Sequence, residues 1–134
     1  MTRQQIFEPA TEGGFASFGR FPITIDGYFF REEPAATFAA GRQAHVPLLV
    51  GWNSEEMTGQ FILKGQPPTA ENYAKVVREL YGERADEAIK LYAGSTPDEI
   101  LAAGTDLAGD RFIGFSTWKW SDLHIKTGGS RVYR

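Results

Sequence analysis

The run Val46-Pro47-Leu48-Leu49-Val50, closed by Gly51, limits the fold more tightly than any other stretch. It is apolar throughout and partly β-branched, with no polar residue alternating in, which is the pattern of a strand covered on both faces. Asn53, Ser54, Glu55 and Glu56 follow almost at once. In open α/β sheets, functional groups gather just beyond the carboxyl ends of the strands. A carboxylate at such a place can orient a histidine in a Ser-His-acid hydrolase. Acidic residues after a strand also cap and start helices, so Glu55 and Glu56 alone leave both roles open.

The rest of the chain reads as short β elements around a long helical excursion. Residues 1–20 are polar and broken by glycines, the composition of a loop or arm, in which Phe15 and Phe18, with Phe21 just beyond, expect packing partners. Ile23-Thr24-Ile25 and Tyr28-Phe29-Phe30 flank Asp26-Gly27 and predict a β-hairpin near 23–30. Pro34 suits the first turn of a short helix and Gly41 its end. A strand is predicted at 46–51, then a mostly helical excursion over 54–127, then a strand at 131–134. Strand, helices, strand make a βαβ-type unit, so the two strands are expected to be parallel neighbours.

Within the excursion, Ser54 is a candidate cap for a helix carrying Met57 and Phe61. Thr69 is a candidate cap for a helix whose apolar face is Tyr73, Val76, Val77 and Leu80, ended by Gly82. Ala85, Ala88, Ile89 and Tyr92 mark another helix. Thr96-Pro97-Asp98-Glu99 is a capping box with proline at the first helical position. From Thr105 to Thr127, Leu107, Phe112, Phe115, Trp118 and Leu123 form a broad stripe, widened by Trp120. At helical spacing such a stripe predicts core.

The order of these elements resembles the type B carboxylesterases, the family of para-nitrobenzyl esterases and cholinesterases. The resemblance rests on Phe21 to Phe29, Pro34 to Gly41, Val46 to Gly51 and Asn53-Ser54-Glu55-Glu56. Asp110-Arg111-Phe112 and the closing Gly128-Gly129-Ser130-Arg131-Val132-Tyr133-Arg134 add to it. It implies a partial α/β-hydrolase fold, a segment from the later part of a longer enzyme. It also implies that Glu56 is the acid of a Ser-His-Glu triad and Glu55 its non-catalytic neighbour, acting on small-molecule carboxylic esters in the complete enzyme.

The remaining machinery of such an enzyme is missing from the sequence. No G-x-S-x-G elbow occurs. Gly114-Phe115-Ser116 starts like one but lacks the second glycine and lies in a helical pattern. The chain order of this fold is serine, acid, histidine, so the serine is expected before Met1 and the histidine beyond Arg134. His124 precedes the last strand and does not take the role, and His45, just before the first strand, reads as a surface or interface residue. The segment alone is expected to be inactive. With strands missing, an open strand edge and apolar face are expected to drive self-association.

A net charge of -3 argues against nucleic-acid binding, which asks for a basic face. There is no cysteine, and the two histidines lack ligand spacing, so neither a metal site nor a cofactor fingerprint is expected. No apolar run approaches the length of a membrane span. Two other readings remain: a non-enzymatic helical module that docks a partner through its aromatic stripe, and another α/β enzyme using Glu55 or Glu56 as a general base.

Overall fold

The computed structural model describes residues 23–134. The chain divides into two compact units, one ending at Thr37 and the other running from Phe38 to Arg134. The expected arm over 1–20, with Phe15, Phe18 and Phe21, lies outside the described residues.

In the first unit the expected β-hairpin near 23–30 does not form. The Asp26 carboxylate accepts hydrogen bonds from the backbone N–H groups of Tyr28, Phe29 and Phe30, at 2.9, 2.8 and 3.1 Å. Gly27, with φ of 74°, donates to the Phe30 carbonyl. The donors a ladder would use are thus taken by one side chain, so a local turn replaces the strand pair. These same N–H groups, Tyr28 first, hold the Asp26 carboxyl below its ordinary range. Helix α1 (Pro34–Ala39) follows, with Gly41 just beyond its end at φ of 67°.

The second unit holds two short strands, β1 (Leu48–Leu49) and β2 (Val132–Tyr133), paired in parallel with Leu48 opposite Val132. The parallel pairing is as expected, but the strands are shorter than 46–51 and 131–134. Pro47 has no N–H to give, and the ladder bonds run from Leu48 N to Arg131 O and from Val50 N to Tyr133 O. Burial on both faces does not occur. Val50 is buried, whereas Leu49 is 82% exposed and Val46 is also exposed. Among the described residues no third strand pairs with either edge, and nothing covers the face that carries Leu49.

Between the strands the chain is helical: α2 (Gly59–Ile62), α3 (Ala70–Tyr81), a 3-10 turn (Gly82–Arg84), α4 (Ala85–Leu91), α5 (Pro97–Gly109), a π turn (Asp110–Gly114) and α6 (Phe115–Thr127). α3 starts where Thr69 accepts from the Asn72 N–H, buries Tyr73, Val76 and Val77, and ends at Gly82. α5 starts at the expected capping box, with Thr96 Oγ1 accepting from Glu99 N and Glu99 Oε2 from Ser95 N and Thr96 N. Ser54 caps nothing. The helix after Glu56 is a single turn with Thr58 at its cap position, because residues 53–56 are held as a turn by side-chain bonds.

The core lies among α2 to α5 rather than on the sheet. Leu63, Val77, Ile100 and Leu107 are its fully buried members, each stabilising the fold by about 1.5–3 kcal/mol over an exposed position. Beyond Leu107 the expected aromatic core fails. The buried face of the π turn and α6 is Gly114, Thr117, Ser121, His124 and Gly128, while Phe112, Phe115, Trp118 and Trp120 are exposed. Small residues let this helix lie close to the segment before β1, and the large rings fall one position to the side. Thr117 is a core polar residue of this face, and Thr127 further along donates to the Phe38 carbonyl and accepts from Gln43.

Candidate functional site

Glu56 lies in the first turn beyond β1, reached through the irregular residues 50–53. The backbone N–H and the side-chain Nδ2 of Asn53 both donate to its Oε1, at 3.0 and 3.2 Å. Its Oε2 has no hydrogen-bond partner among the described residues, so the half-buried carboxylate is fixed through one oxygen and open at the other. Glu55 is exposed, and no group engages it among the described residues.

Three glycines of the long helix seat this turn. A Cβ on Gly114 would sit 3.5 Å from the Trp52 indole nitrogen, one on Gly109 would sit 4.0 Å from Ser54 O, and one on Gly104 would sit 2.9 Å from the Gly59 Cα. The chain from Trp52 to Gly59 therefore runs along α5 and the π turn in near-backbone contact. Gly59 N also donates to Thr105 Oγ1 at 2.8 Å, tying the end of the turn to α5. The position of Glu56 is thus set by helix α5 as much as by strand β1.

Beside this turn, an open cleft of about 640 Å³ is lined by Trp52, Tyr81, Tyr92, Asp110, Arg111, Phe112, Gly114, Phe115, Ser116 and Trp118. Tyr92 OH donates to Asp110 Oδ2 at 2.7 Å. Burial, and then this bond and the Asp110 charge, push the Tyr92 phenol well above its ordinary range. The Arg111 guanidinium stacks over the Tyr81 ring, 5.3 Å from its centroid. Behind the cleft, Tyr73 OH donates to Tyr92 O, and burial pushes the Tyr73 phenol up to about 12. The π turn carries Asp110, Arg111 and Phe112 to the cleft together; such turns recur at functional sites.

The other candidate residues do not assemble with Glu56. Ser116 Oγ donates to the Ile113 carbonyl, as an ordinary helix hydroxyl does. His124 is 3% exposed and its Nε2 donates to Val46 O at 2.9 Å. Its Nδ1 is buried without a partner against the backbone of Gly128. His124 therefore ties α6 to the residue before β1 and faces no serine. The exposed His45 ring bonds its own loop at Gly41 O. Among the described residues no group of three metal-ligating side chains converges, and no helix is long and apolar enough to cross a membrane.

Of the cleft residues, sequence pattern places Tyr92 on the apolar face of a helix and gives no role to Tyr81 or Trp52. The available signal was Asp110-Arg111 set inside an aromatic-rich helix, a charged pair where an apolar stripe was due. Comparison of the chain with protein-family models, with curated proteins and with solved structures finds no match.

Proposed function

We propose that this chain is the acid-bearing segment of a serine carboxylic ester hydrolase of the type B carboxylesterase kind, with Glu56 as the triad acid. One observation carries the reading: a carboxylate sits in the first turn beyond the carboxyl end of a parallel strand, anchored by Asn53 through one oxygen, the other having no partner among the described residues. That is the arrangement needed to accept an N–H from an imidazole and hold its tautomer while the other imidazole nitrogen takes a proton from a serine. The finer α/β-hydrolase assignment rests on the order of sequence elements together with the β-helices-β connection between β1 and β2. In the complete enzyme the serine attacks the ester carbonyl, the alcohol leaves with the proton held by histidine, and water releases the acid from the acyl-serine.

The test is to read the coding DNA on both sides of this segment. The reading requires a G-x-S-x-G elbow upstream and a histidine downstream. In that complete enzyme, Glu56→Gln should lower kcat by up to about 10⁴-fold, with Glu55→Gln close to the parent. The chain by itself should not hydrolyse a short-chain para-nitrophenyl ester. Flanks with neither motif, or turnover by the chain that vanishes on Ser116→Ala, would overturn the proposal.

A second reading is a non-enzymatic partner-binding module, favoured by the exposure of Phe115, Trp118 and Trp120 along α6. It requires start and stop signals close to the segment and neither catalytic motif beyond them.

A further inference from the structure

The cleft beside the π turn is a different place from the Glu56 carboxylate, and its charges are arranged unequally. Asp110 is exposed at the cleft, but both its oxygens have close neighbours in the protein. Oδ2 accepts from Tyr92 OH, and Oδ1 lies over Gly114 so closely that a Cβ there would be 2.8 Å away. Arg111, the next residue, makes no ion pair among the described residues. Its guanidinium lies over the Tyr81 ring. The ring face holds the cation without offering an in-plane acceptor, which leaves the guanidinium N–H groups for another partner. Of the two charged groups that line the cleft, Arg111 is the one with hydrogen-bonding capacity to spare.

The walls around it are aromatic and flat. Trp52 lines one side, and Phe115 and Trp118 line another, their rings 6.1 Å apart and inclined by 30°. The volume of about 640 Å³ falls within the range of small-molecule sites, which spans about 300–1,000 Å³. Exposed rings beside a guanidinium that makes no ion pair among the described residues match a ligand with a planar apolar body and an anionic fork.

We propose that this cleft binds a planar aromatic carboxylate, with Arg111 pairing the carboxylate and Trp52, Phe115 and Trp118 contacting the ring. A bidentate guanidinium-carboxylate pair gives the directionality, and the rings supply most of the buried area. Asp110 acts as a positioning residue that holds Tyr92 and the π turn in place. The proposal stands independently of the esterase reading, since it needs neither Glu56 nor any missing segment.

Three probes of one ring system test it by titration calorimetry on the whole chain: 2-naphthoate, 2-naphthalenemethanol and 2-naphthylmethylammonium. The carboxylate should bind at least about tenfold more tightly than the alcohol, the ratio expected of a charged hydrogen-bonded pair. The ammonium should be the weakest. Arg111→Gln should remove the preference for carboxylate while leaving the circular dichroism spectrum unchanged. Arg111→Lys should recover only part of it, because an ammonium group lacks the fork. Trp118→Ala should weaken all three probes together. Equal binding of the three, tightest binding of the ammonium, unchanged naphthoate affinity in Arg111→Gln, or no heat with naphthoate at millimolar concentration would each overturn the proposal.

Discussion

Replacing Gly59 by alanine drives a methyl group into the backbone of α5. The added carbon would stand 3.0 Å from the Leu101 carbonyl carbon and 3.1 Å from its Cα, and closer still to the Leu101 oxygen. Carbon atoms normally rest about 3.5–4.0 Å apart, so α2 has to retreat by roughly 0.5–1 Å. Overpacking of this kind costs about 1–3 kcal/mol. The same retreat lengthens the 2.8 Å bond from Gly59 N to Thr105 Oγ1, and loss of a buried donor's partner costs about 1–3 kcal/mol more. Relief of glycine's unfolded-state entropy returns about 0.5–1 kcal/mol. The expected net destabilisation is about 1–5 kcal/mol, centred on about 3 kcal/mol, a large share of a typical total of about 5–15 kcal/mol. Urea unfolding followed by far-ultraviolet circular dichroism measures it. With a slope of about 1.5 kcal/mol/M, the central value lowers the midpoint by about 2 M. Gly51→Ala is the control, because nothing lies within 4 Å of its added carbon, and it should stay within about 0.5 kcal/mol of the parent. If Gly59→Ala unfolds where Gly51→Ala does, the close approach of the Glu56 turn to α5 is wrong.

Alkaline stability should follow Tyr73 and Tyr92. Both phenols are pushed upward, chiefly by burial, so the stability they lend is complete below pH 10 and is lost as pH rises toward about 12, where Tyr73 ionises in the fold. Absorbance at 295 nm should show their ionisation coinciding with unfolding. Early, reversible ionisation of all tyrosines in folded protein would contradict it. At the other end of the scale, the Ser95 and Thr96 N–H groups hold the Glu99 carboxyl below its ordinary 4.5. Its contribution is present above that value and lost as pH falls below it, so the acid-side loss of stability should be smaller in Glu99→Gln. Thr96→Ala, which removes the other half of the box, should cost about 1 kcal/mol in the same urea assay. Light scattering should show self-association that grows with concentration, given the open β1–β2 edges and the bare Leu49 face; a monomer at high concentration would count against it.

What local chemistry controls could be read in advance. Thr96-Pro97-Asp98-Glu99 starts α5 because its side chains satisfy the first backbone donors within four residues, whatever surrounds them. Thr69 and Gly82 bound α3 for the same reason, and Tyr73, Val76 and Val77 repeat at the period of a helix that has one apolar neighbour. The place of Glu56 just past an extended segment, and the parallel pairing of the two strands, were legible too. Where two local signals competed, at Asp26-Gly27, the hairpin pattern lost to a carboxylate that captured three backbone donors. The remaining features depend on groups far apart in the chain. No periodicity reveals that Trp52, Tyr81, Tyr92 and Arg111 border one cleft, because the meeting depends on how α3, α4 and the π turn pack. Nor does hydrophobicity say that α6 buries Thr117, Ser121 and His124 while exposing Phe115 and Trp118. A helix turns inward the face that fits its neighbour most closely, and that neighbour exists only once the chain has folded.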